Sequence, residues 1–150
     1  MSVAMTPLPV DYVESARRHM TDAHILMTAG RKANAGQLLG FSVECGLKAL
    51  LIACGVETDA AGGVSSGSRF REHLPKLNMK LVSSGHLLPE GQRSTHYRAM
   101  LPNVNSLSEW SVDHRYVKES ALPQTLLPQW HLAAQEINDM LDQAMIDGVM

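Results

Sequence analysis

Apolar positions recur at spacings of three and four along most of the chain, and strong breakers divide the pattern into five stretches. The first opens after Pro7 and Pro9. Asp11 stands as its N-cap, with Glu14 three residues on at the capping-box spacing. Val13, Ala16, Met20, Ala23 and Met27 then share one helical face, and Gly30 marks the stop. Residues 1–9 are expected to be flexible. The second predicted helix runs from Lys32 to Cys54 and ends at Gly55. Its stripe of small residues, Ser42, Cys45, Gly46, Ala49 and Ala53, predicts a close crossing with another helix.

Residues 55–70 are rich in Gly, Ser and Asp and carry no periodicity, so they read as a long loop. A third helix is expected from Arg71 to Ser84, with Leu74, Leu77, Leu81 and Val82 inward and Gly85 as its stop. A fourth spans Arg93 to Leu107, with Pro102 placed to kink or break it. "SEWSVDHRYVKESALP" reads as an irregular linker. The last helix begins after Pro123 or Pro128 and reaches Ile146, with Leu132, Ala133, Ile137, Met140, Leu141 and Ala144 on its apolar face. No strand pair and no internal repeat is visible. The prediction is an all-α fold, an up-and-down bundle of four to five helices in one domain of 150 residues.

Composition changes this picture little. A hydrophobic fraction of 45% with 19% charged residues is ordinary for a globular chain. A net charge of −2 excludes a global basic field for non-specific nucleic-acid binding. Cys45 and Cys54, on one helix, lie about 13 Å apart along its axis and on nearly opposite faces, which excludes a bridge between them. No close Cys/His ligand spacing is present, so neither a metal nor a cofactor is expected. The N-terminal residues lack a basic segment followed by an apolar run, so no signal peptide is expected. The second helix is long enough for a membrane span, but Glu44 and Lys48 near its middle argue against one. A reducing, cytoplasmic setting follows as the expectation.

Those two charges raise the chemical question. Glu44 and Lys48 stand four apart, in the order that favours an ion pair on a helix. Either they form a solvated stripe on a buried helix, or Glu44 turns inward and requires a cation. Arg115, Arg31 and Lys48 are the candidates for that cation.

"GRKANAGQLLGFSVECGLKALLIACG", then "REHLPKL", then "WSVDHRY" resembles the HEPN family of small helical domains (higher eukaryotes and prokaryotes nucleotide-binding). Glu44 with the Leu47–Leu51 run, His73 with Leu74, and Arg115 with Tyr116 carry the match, which covers residues 16–116. The resemblance implies a bundle of four or five helices, frequent homodimerisation, and a role near nucleotides or RNA. By analogy it also implies a neighbouring nucleotidyltransferase as partner, as in the family's toxin–antitoxin members. On this reading Glu44, Lys48, His73, Arg115 and Tyr116 line one polar cleft. Glu44 would orient Arg115, Arg115 and Lys48 would meet phosphate, and Tyr116 would stack on a base.

Many family members are metal-independent ribonucleases with an Arg followed four to six residues later by His. This chain departs from that pattern, because no histidine follows Arg115 at that spacing. Arg18 and His24 have the separation but lie on the first helix. The leading expectation is therefore a non-catalytic module that binds a nucleotide, RNA or a partner protein. The competing expectation is a metal-independent ribonuclease using Arg115 with His114 or His73. A third is a purely structural dimerisation module.

Overall fold

The computed structural model describes residues 7–150. Of the N-terminal segment expected to be flexible, residues 1–6 lie outside the described residues, and residues 7–9 are irregular and exposed. The fold is all-α. Five helices, α1 (Tyr12–Thr28), α2 (Lys32–Ala53), α3 (Lys76–Ser84), α4 (Gly91–Arg98) and α5 (Leu127–Ile146), are joined by loops and short 3-10 turns. Among the described residues the only β pairing is an isolated bridge between Thr58 and Val64.

Local chemistry sets the helix ends. The Asp11 side chain accepts the Glu14 N–H at 2.9 Å and caps α1. Gly55 follows α2 with φ of +101°, the left-handed conformation that lets the chain reverse there. The last carbonyls before it are bonded too, since Glu90 donates its N–H to the Cys54 carbonyl and Arg93 donates to the Ala53 carbonyl.

Helix α2 is the axis of the fold. It packs on α1, α5, α3 and α4, and Leu39, Val43, Leu47, Leu50 and Leu51 are wholly buried. By length and composition it could cross a membrane, but 72% of its most apolar window is buried inside the fold. Close approach rests on glycine. A Cβ at Gly46 would stand 2.1 Å from Ile137 of α5, and one at Gly40 would stand 2.0 Å from the Trp110 ring. The small-residue stripe thus marks a real crossing at Gly46. Gly36 and Gly40, which receive Trp130 and Trp110, were outside that stripe. Ser42 ties the same crossing by donating to the Ala16 carbonyl at 2.7 Å and accepting from Asn138 at 3.3 Å.

Three sequence expectations need correction. Helix α3 starts at Lys76 instead of Arg71, because Pro75 disfavours helical geometry at the residue before it. Residues 71–74 therefore cross α2 as open chain. Val82 is 49% exposed, since it sits one residue, about 100°, off the Leu77–Leu81 face. Leu132 is likewise exposed, lying opposite the buried face of α5. The fourth predicted helix breaks near Pro102, as expected, into α4 and a 3-10 segment, Val104–Glu109.

The two cysteines are free, as their spacing requires. Burial pushes each thiol up to about 11. A raised thiol pKa leaves little thiolate at pH 8. The native chain is expected to react with iodoacetamide far more slowly than the same chain in denaturant, with both cysteines labelled only after unfolding. Fast native labelling at Cys54, counted by mass spectrometry, would contradict its burial.

Candidate functional site

Glu44 is 4% exposed in the middle of α2, so its carboxylate needs partners. Open chain at residues 71–74 supplies two. The Leu74 N–H donates to Glu44 Oε1 at 3.0 Å, and His73 Nδ1 lies 3.0 Å from both carboxylate oxygens. Lys48 Nζ, one helical turn along α2, adds a contact of 3.3 Å to Oε2. The late start of α3 makes this possible, since it leaves the Leu74 N–H free of helical bonding.

A carboxylate only accepts, so the hydrogen on His73 sits at Nδ1 and the neutral ring presents its lone pair at Nε2. The His73 side chain is 58% exposed, so the ring links the buried acid to solvent. It opens on a groove of about 360 Å³ lined by Tyr12, Lys48, Asp59, Arg71 and Glu72 among others.

The walls of this groove are held firmly. Asp59 Oδ1 accepts the Ala61 and Gly63 N–H groups at 2.9 and 3.0 Å, which folds the expected 55–70 loop into a compact turn. Val10 donates its N–H to the Ala61 carbonyl, and the Tyr12 hydroxyl accepts from Val64. Lys48 Nζ lies 5.8 Å from the centre of the Tyr12 ring. Glu72 pairs with Lys80 at 2.6 Å, and that hydrogen bond holds its carboxyl below the usual range. Arg71 is exposed and has no ion-pair partner among the described residues. Charge in the groove is mixed, with Lys48 and Arg71 facing Asp59 and Glu72.

Three of the five cleft residues expected from sequence, Glu44, Lys48 and His73, are together. Arg115 and Tyr116 are not with them. They occupy the 3-10 turn Val112–Tyr116, which packs near the start of α2 through a 3.2 Å bond from Gln37 to the Val112 carbonyl. Gln37 is two helical turns before Glu44, about 10 Å along the axis. The Arg115 guanidinium lies 4.9 Å from the Tyr116 ring, and that ring is 77% exposed. The expected Glu44–Arg115 bond is therefore absent, and His73, Lys48 and the Leu74 N–H take the carboxylate instead. The physical reason is Trp110, whose insertion at Gly40 anchors the following residues beside the first turns of α2. His114 stacks on Trp130 with ring centres 6.4 Å apart, away from His73.

Sequence reading passed over Tyr12, Asp59 and Arg71 as groove residues. Arg71 had a usable signal, two places before His73 in "REH". Tyr12 and Asp59 had none, because only the folded loop brings them across. Among the described residues no group of three or more His, Cys, Asp or Glu side chains is placed to hold a metal. No protein-family model, curated protein or solved structure matches the chain.

Proposed function

We propose that the chain is a HEPN-like helical domain, acting as a homodimer, whose groove at Glu44, Lys48 and His73 binds the ribose–phosphate part of a nucleotide or RNA. The observation that carries this is the buried Glu44 carboxylate holding an exposed imidazole beside two cations. Mixed charge suits a ligand with both an anion and hydroxyl groups. Lys48 and Arg71 would meet phosphate, and Asp59 and His73 Nε2 would accept from ribose hydroxyls. A nucleotidyltransferase partner belongs to the same reading through the family resemblance. Arg115 and Tyr116 offer a separate cation and aromatic surface near the other end of α2.

Binding of labelled single-stranded RNA and of ATP, followed by fluorescence polarisation, tests the groove. Arg71→Ala is expected to weaken binding about 10- to 100-fold, the loss of one charge-assisted hydrogen bond of about 1.5–3 kcal/mol, and His73→Ala about 2- to 10-fold, the loss of a neutral one of about 0.5–1.5 kcal/mol. Arg115→Ala is expected to change it little. The reverse ranking would move the site to the Arg115 turn and overturn the proposal.

The free Nε2 of His73 also favours a second reading. A carboxylate-held imidazole is the arrangement of a general base, able to take a proton from a ribose 2′-hydroxyl without a metal. RNA cleavage in EDTA that disappears in His73→Ala would establish that reading over simple binding.

A further inference from the structure

We infer that His24 of α1 and His131 of α5 form a two-imidazole binding site for a late first-row divalent cation, with Zn²⁺ the leading candidate. The two Nε2 atoms are 3.3 Å apart. That matches the edge of a tetrahedron built on Zn–N bonds of about 2.0–2.1 Å, which is about 3.3 Å. The ring centres are 4.8 Å apart and the planes cross at 82°. The two nitrogens are hydrogen-bonded to each other, and an ion bound to both would take the place of the shared proton.

The scaffold favours chelation too. Both histidines are carried on long helices, not loops. Arg17 of α1 and Asp142 of α5 pair at 2.6 Å, so the two helices run antiparallel and are tied at a second point. Little backbone freedom therefore remains to be lost on binding. Imidazole nitrogen is a good ligand for Zn²⁺, Ni²⁺ and Cu²⁺, and only the neutral ring binds. His24 is exposed, so the site is open to ions from solvent. With no third protein ligand placed beside the pair among the described residues, water completes the shell. Such an ion exchanges readily.

Sequence gave no sign of this site, because the ligands are 107 positions apart. It is also independent of the Glu44–His73 groove, so RNA or ATP binding has no bearing on it.

Isothermal titration of the full chain with ZnCl₂ at neutral pH tests the inference, with thermal unfolding in ZnCl₂ against EDTA as a second readout. One ion per chain is expected, with a rise in melting temperature that grows with ion concentration. His24→Gln and His131→Gln should each weaken binding by about tenfold or more while leaving the apo chain folded. Lowering the pH should weaken binding, because protons compete with the ion for imidazole nitrogen. No saturable binding at millimolar ZnCl₂, or unchanged binding in the two single variants, would overturn the site.

Discussion

Trp110→Ala is expected to destabilise the chain by about 3–5 kcal/mol, the range for truncating a large buried aromatic side chain. Trp110 is 1% exposed, and its indole N–H donates to the Gly36 carbonyl at 3.1 Å. Phe41 meets the ring edge to face at 5.3 Å. The partner change is Gly40→Ala. Helix propensity favours alanine by about 1 kcal/mol. The added Cβ, however, would stand 2.0 Å from the indole, and overpacking of that kind costs about 1–3 kcal/mol. Gly40→Ala should therefore destabilise the native chain. In a Trp110→Ala background the obstruction is gone, so the same change should become neutral or stabilising. Chemical denaturation of the four proteins completes the cycle. Simple additivity of the two changes would show that Trp110 does not sit in the Gly40 notch. Gly67→Ala, with nothing within 4 Å of the added carbon, serves as a neutral control.

Glu44→Ala is the second large effect, a loss of about 2–4 kcal/mol. A fully buried pair that loses one partner costs about 3–5 kcal/mol, but the exposed His73 ring can rehydrate and reduces that figure. The Leu74 N–H cannot, and a buried orphan donor costs about 1–3 kcal/mol. Lys48, with a side chain 12% exposed, also keeps a poorly hydrated charge. Glu44→Gln restores an acceptor for Leu74 and should fall between wild type and alanine. His73→Ala removes only the half-solvated partner and should cost less than about 1 kcal/mol. That order, read from urea midpoints, separates two pictures of α2. A solvated Glu–Lys stripe would make Glu44→Ala cost no more than about 0.5 kcal/mol. Such a result would remove the buried anchor on which the groove depends.

His73→Ala then has a distinct use. It should leave folding nearly intact while weakening ligand binding, whereas Glu44→Ala should impair both. A variant set in which binding loss merely follows stability loss would assign the cluster a structural role.

Much of this could be read from residue order because it depends on neighbours in the chain. Asp11 caps its own helix three residues away, and Gly55 ends α2 by its own backbone freedom. The three-and-four spacing in α1 and α5 selected their buried faces, with Leu132 as the exception. Glu44 and Lys48 were legible as a pair because four residues make one helical turn. The inward turn of Glu44 remained one of two open readings, because burial is a property of what packs above a helix.

Packing at a distance decided the rest. Pro75 delays α3, and only that delay lets the His73 ring and the Leu74 N–H reach Glu44 in place of a guanidinium. Trp110 seats in the Gly40 notch and keeps Arg115 beside the wrong turn of α2 for the expected cleft. Tyr12, Asp59 and Arg71 meet in one groove, and His24 meets His131, because helices and loops far apart in sequence are pressed together. Periodicity tells which side of a helix is apolar. It carries no information on which element covers that side or at what height along the axis, since shape complementarity between side chains distant in sequence sets both.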